Sequence, residues 1–98
     1  MSTFVLLFSG GSAPASEEGR QASAAAWREW FDRVGDALVD PGSPFGAVAR
    51  YGAETAPSGI TGYSIVTSDD ADAIALLLDG HPHLAAGGTI EAHETVPA

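Results

Sequence analysis

Apolar positions recur along the chain in two rhythms, and their alternation sets the predicted order of elements. Phe4 to Phe8 is an unbroken apolar run between Thr3 and Ser9, stopped by Gly10-Gly11. Its shortness, its two phenylalanines and the glycines after it predict a strand over 3–9. Both parities of the run are apolar, so both faces of this strand should be covered. Next, Trp27, Phe31, Val34 and Leu38 recur at helical spacing. They form one stripe on a helix predicted from Glu17 to Leu38, with Trp30 on its edge. Ser16 stands at the N-cap, and Glu17 and Glu18 complement the helix dipole.

The segment Val39-Asp40-Pro41-Gly42-Ser43-Pro44-Phe45-Gly46 reads as helix exit and turn, because two prolines and two glycines oppose a regular element. A short, weak strand is predicted over Ala47–Tyr51, followed by a loop over 52–59. Ile60–Thr67 reads as a stronger strand. Ser68 then caps a second helix that opens with Asp69, Asp70 and Asp72 and carries Ile74, Ala75, Leu77 and Leu78. Asp79-Gly80 ends it, His81-Pro82-His83-Leu84 is a connector, and Thr89–Val96 is the last strand.

The order β-α-β-β-α-β predicts an α+β, ferredoxin-like domain over 1–98, with a four-stranded antiparallel sheet and both helices on one face. The other face needs a cover. In a chain of 98 residues the simplest cover is a second copy of itself, so a homodimer through the sheet faces is expected.

Charge and composition narrow the function classes. Four arginines and no lysine stand against 13 acidic residues, for a net charge of −9. That balance argues against nucleic acid or an anionic membrane as a partner. The absence of cysteine removes thiol catalysis, disulfides and cysteine-held metal. Neither apolar run approaches the length of a signal core or a membrane span, which makes the cytoplasm the expected location. Nucleotide-binding glycine motifs and a nucleophile-elbow serine are missing, and no cofactor is expected.

The residues able to carry chemistry are few. His81 and His83 flank Pro82 at the exit of the second helix, where an imidazole can act as general acid or base, or hydrogen-bond the helix end. Asp40, extended before Pro41, either caps its own turn or pairs with one of these histidines across a pocket. Together they would suit proton abstraction beside a carbonyl, or an elimination. Trp27, Phe31, Phe45 and Tyr63 are candidates to line an aromatic-friendly pocket, as against packing in the core. Arg50 is the cation best placed to meet an anionic ligand. His93 and Glu91 share a face of the last strand and read as solvent or dimer contacts. Three scattered histidines lack metal-site spacing, so no metal is expected.

Four segments together resemble the YCII-related proteins of the dimeric α/β-barrel superfamily. They are Phe4-Val5-Leu6-Leu7-Phe8, Gly42-Ser43-Pro44-Phe45-Gly46, Gly62-Tyr63-Ser64-Ile65-Val66, and Gly80-His81-Pro82-His83-Leu84 running into Gly88-Thr89-Ile90-Glu91. The resemblance implies a ferredoxin-like fold, a dimer built by packing the sheets, and a pocket between sheet and helices. Characterised enzymes of this group resemble muconolactone isomerase-like and dehydrochlorinase-like catalysts acting on ring compounds, with a His and an Asp moving protons. Their enzyme branch carries a histidine in the N-terminal half, whereas the first histidine here is His81. Three readings stay open: a pocket protein that binds a small organic ligand, an acid/base lyase or isomerase using His81 or His83 with Asp40, and a non-catalytic interaction or regulatory module. The absence of a histidine before His81 favours the first over the second.

Overall fold

A computed structural model describes residues 1–54 and 56–97. Strand β1 spans Ser2–Gly10, helix α1 Glu17–Val34, strand β2 Leu38–Pro44 and strand β3 Ile60–Ser68. Helix α2 covers Ala71–Leu78, a four-residue helix α3 covers Pro82–Ala85, and strand β4 closes the chain over Gly88–Glu94. The sheet order is β2-β3-β1-β4, with each neighbouring pair antiparallel. This is the expected α+β, ferredoxin-like arrangement.

Side chains alternate across a strand, so the register decides which residues share a face. Phe4, Leu6 and Phe8 stand opposite Val66, Ser64 and Gly62 of β3, and opposite Glu94, Ala92 and Ile90 of β4. On this face Phe4, Leu6, Phe8 and Val66 are buried together with Trp30 and Val34 of α1 and Ile74 of α2. Both long helices therefore cover the same side. The alternate positions Val5, Leu7, Tyr63 and Ile65 pair on the opposite side, where all four are only half-buried.

Polar contacts join the helices above the core. The Leu77 carbonyl, in the last turn of α2 and without a partner inside the helix, accepts from the Trp30 indole Nε1 at 3.0 Å and from the Arg33 guanidinium at 2.8 Å. Arg33 also donates to the Asp79 carbonyl at 2.6 Å. A cationic side chain at a helix C-terminus complements the dipole as well as satisfying the free carbonyls. Trp30 is thus central to the core, more deeply buried than the edge position its spacing implied.

Several elements differ from the sequence reading, the last strand among them, which spans Gly88–Glu94 and not 89–96. Helix α1 ends at Val34, because Gly35 takes a positive φ of 59° and its N–H returns to the Phe31 carbonyl. A single 3₁₀ turn over Gly35–Ala37 then leads into β2, whose residues were read as a turn, while 47–51 forms no strand. The prolines are tolerated because β2 is an edge strand and its pairing with β3 is irregular, shifting register between Leu38 and Asp40 and again between Asp40 and Ser43. Gly42 makes this path feasible: its φ is +75°, and a Cβ there would fall on the Tyr63 carbonyl. The N-cap of α2 is Asp70, whose carboxylate accepts from Ala73 N at 2.8 Å, and Ser68 instead ends β3. The His-Pro-His connector is partly helical, with Pro82 at the first position of α3. The loop expected over 52–59 is irregular in its described positions; position 55 lies outside them. Among the described residues, no helix is long and apolar enough to cross a membrane.

Candidate functional site

The chain between α2 and β4 brings both central histidines back under α1. His81 N donates to the Leu78 carbonyl at 3.0 Å as α2 ends, and Gly80 makes the turn at φ 74°. His81 is then the N-cap of α3: its Nδ1 accepts from the His83 backbone N–H at 3.0 Å. That bond requires a lone pair on Nδ1, so the neutral ring carries its proton on Nε2. The ring is completely buried and stands 4.4 Å from Trp30, 4.7 Å from Trp27 and 5.4 Å from Phe8, measured between centroids. Nε2 has no hydrogen-bond partner, the sole buried side-chain nitrogen or oxygen so left among the described residues. Burial, reinforced by His83 and Arg33, lowers the His81 pKa from 6.5 to about 4. His81 is therefore neutral at pH 7.

His83 is fixed differently. Its Nε2 lies 2.8 Å from the Ser9 carbonyl, which can only accept, so Nε2 carries a proton and donates. The ring fits because two glycines make room. A Cβ on Gly88 would fall on the imidazole, and one on Gly11 would come within 3.2 Å of His83 Cε1. The Phe8 ring lies 5.3 Å away and completes the slot.

His83 opens onto a cavity of about 410 Å³ between α1 and the β2–β3 half of the sheet. Phe8, Trp27 and Phe31 form its aromatic part, and Ser64 and the 41–44 segment are among the other lining residues. Ring contacts of 5.4 Å between Phe8 and Trp27, edge to face, and 5.9 Å between Trp27 and Phe31 keep that part in place. The hydroxyls that border the cavity are largely occupied. Ser64, fully buried, donates to the Pro41 carbonyl at 2.8 Å, and Thr61 donates to the Phe8 carbonyl at 3.2 Å.

The sequence candidates separate into two groups on this geometry. Trp27 and His83 line the cavity, Tyr63 borders it, and His81 packs behind Phe8 and Trp27 without lining it. Asp40, Phe45 and Arg50 do not line it. Asp40 faces the same side as its register partner Ile65, the side away from the helices. There its carboxylate accepts from Gly42 N at 2.8 Å and from the Tyr63 hydroxyl at 3.3 Å. The structure thus forms the local turn cap and does not bring Asp40 to His81 or His83. Its negative charge raises the Tyr63 pKa, with desolvation and the hydrogen bond adding to the effect. Phe45 stacks on Tyr63 at 5.6 Å and remains half exposed. Arg50 is exposed. His93 and Glu91 pair at 2.7 Å on the exposed part of β4. No group of three potential metal ligands occurs among the described residues.

Phe8, Ser64 and the 41–44 segment are cavity residues that sequence reasoning did not name as such. Phe8 and Ser64 share the parity of Leu6 and Val66, so the alternation already assigned them to the helix-covered face.

No protein-family model matches the chain, and no curated protein does. Among solved structures it is similar to the 5-chloro-2-hydroxyhydroquinone dehydrochlorinase TftG of Burkholderia phenoliruptrix, in complex with 2,5-dihydroxybenzoquinone. The match has a TM-score of 0.53 at 19% identity and covers 91% of this chain and 90% of that one. At this identity the likeness establishes the fold alone.

Proposed function

We propose that the chain is a YCII-like protein that binds a small ring compound in the cavity under α1, with His83 as its proton acceptor. The observation that carries this reading is the place of His83: the one histidine lining the cavity is held there by its Nε2–H bond to the Ser9 carbonyl. The aromatic wall of Phe8, Trp27 and Phe31 suits a flat apolar ring. The similarity to a dehydrochlorinase bound to a benzoquinone is compatible with the same ligand class.

A second reading, acid/base catalysis of the lyase or isomerase type, rests on the same nitrogen. His83 Nδ1 would take a proton from the bound ring, and the electron pair left behind would expel a leaving group or shift a double bond. The imidazolium formed would keep its Nε2–H bond to Ser9. His81 serves this scheme as a positioning residue, since it holds the His83 backbone. Asp40 has no part in it.

The half-buried face of Val5, Leu7, Tyr63 and Ile65 supports pairing of two copies through their sheets. The experiment for the functional reading is a set of substituted phenols and quinones screened by thermal shift and for turnover, with wild type beside His83→Gln. Binding that is weakened in His83→Gln supports the reading. Ligands that stabilise both proteins equally, or none that stabilises either, overturn it. Turnover that falls in His83→Gln by far more than the weakened binding accounts for would support the catalytic version.

A further inference from the structure

The run 81–86 hangs between two glycines, Gly80 and Gly87, which both take positive φ, 74° and 83°. Within it α3 has only four residues, too few to hold a helix by its own hydrogen bonds. Three ties fix it to β1 and α1. Ser12 N donates to the Ala86 carbonyl at 3.1 Å, His83 Nε2 donates to the Ser9 carbonyl at 2.8 Å, and the buried His81 ring is enclosed by Phe8, Trp27 and Trp30.

The His81 tie is one that a proton undoes. Its Nδ1 accepts the His83 backbone N–H, which needs a lone pair; a proton there would set two donors against each other 3.0 Å apart. Aromatic faces can receive a cation, but they cannot restore that lone pair. The charged groups that act on the ring offer no counter-charge: His83 of α3 and Arg33 of α1 both oppose protonation, as burial does. Phe8 of β1 and the two tryptophans of α1 do not titrate, and α2 meets His81 through the Leu78 carbonyl on its backbone N–H. The effect reaches the cavity, because Phe8 and Trp27, which pack on the His81 ring, and His83, whose backbone the ring holds, all line it.

We infer that residues 81–86 are an acid-released latch on the cavity: a proton on His81 Nδ1 breaks the cap of α3, the segment turns out on Gly80 and Gly87, and His83 leaves the cavity. As a regulation of ligand binding this rests on the binding reading above, whereas the movement itself belongs to the ligand-free protein.

Native-state hydrogen exchange, read by NMR on the ligand-free protein at pH 7, pH 6 and pH 5, tests it. The reporting amides are His83, Ala85 and Ser12, whose acceptors are His81 Nδ1, the His81 carbonyl and the Ala86 carbonyl. Leu6 and Val66, in the two central strands, serve as the reference. With the intrinsic pH dependence of exchange divided out, the reporting amides should open more readily than the reference at every pH. Their opening constant should rise about tenfold per pH unit below 6.5, since only the open segment takes up the proton. In His81→Asn, whose side-chain oxygen can still cap α3, the rise should vanish. In His83→Gln it should persist, which assigns the proton to His81 even where His81→Asn does not fold. A pH-independent opening in wild type, a rise abolished by His83→Gln, or reporting amides that exchange only together with the strands would overturn the latch and leave the binding reading standing. Failure of the phenol and quinone screen would remove the binding reading and leave the latch.

Discussion

Replacing His81 by Asn tests how the buried imidazole is coupled to folding. In the folded chain His81 is completely enclosed by Phe8, Trp27 and Trp30, and its Nδ1 must stay unprotonated to accept the His83 N–H. Its pKa falls from 6.5 to about 4, with burial as the leading cause. Between these values the unfolded chain holds a proton that the folded chain refuses, so stability rises with pH across that window. The contribution is complete above pH 6.5 and is lost progressively as pH falls to about 4. At about 1.36 kcal/mol per pKa unit the loss amounts to roughly 3 kcal/mol, a large part of the ~5–15 kcal/mol that holds a domain together. An Asn side-chain oxygen can still cap α3, but it does not titrate. Urea unfolding followed by far-UV circular dichroism from pH 7.5 to pH 4 would compare the two proteins. Every other ionisable side chain is present in both proteins, so the difference between the curves reports the loss of His81. Whatever offset the smaller side chain introduces, wild type should lose roughly 3 kcal/mol more than the variant across the window. Parallel curves would refute the reasoning. So would a directly measured His81 pKa near 6.5.

Three further outcomes follow from packing. Gly88→Ala should drive the His83 ring from its slot and break the Ser9 bond, costing about 1–3 kcal/mol in chemical denaturation and shifting the His83 ring resonances; unchanged resonances would mean the slot is looser than it looks. Gly42→Ala combines a positive φ with a Cβ on the Tyr63 carbonyl, so it should cost at least about 1–3 kcal/mol and raise amide exchange in β2 more than in β1. Leu7→Glu puts a charge at the centre of the half-buried face and should turn a dimer into a monomer in sedimentation equilibrium, and a wild-type monomer would refute the proposed pairing.

The sequence was most legible where period and length agreed. Phe4 to Phe8 and Ile60 to Thr67 follow strand alternation with apolar residues on both parities, and the structure makes them the two central strands. The pattern also predicted helices on one face, as Trp30, Val34 and Ile74 converge on β1. It misplaced β2 because Pro41, Gly42 and Pro44 oppose a strand by local propensity, while pairing at an irregular sheet edge tolerates them. For Asp40 the sequence left a turn cap and a histidine partner both open, because its side of the sheet depends on that irregular register, which no local spacing reveals. His81 and His83 were identified as a pair, but their different states come from distant groups, Ser9 for one and the two tryptophans for the other. That Gly11 and Gly88 make room for a ring emerges only once β1 and β4 are adjacent.

The protonation state of His83 tests the central claim most directly. Long-range ¹H–¹⁵N NMR of the ring at a pH where it is neutral reports which nitrogen holds the proton, first in the free protein and then with resorcinol added. The account predicts the Nε2–H form in the free protein, with Nδ1 as the nitrogen whose shift moves when the ligand binds. A proton found on Nδ1, or an Nδ1 shift unmoved by a ligand that perturbs Trp27, would contradict it.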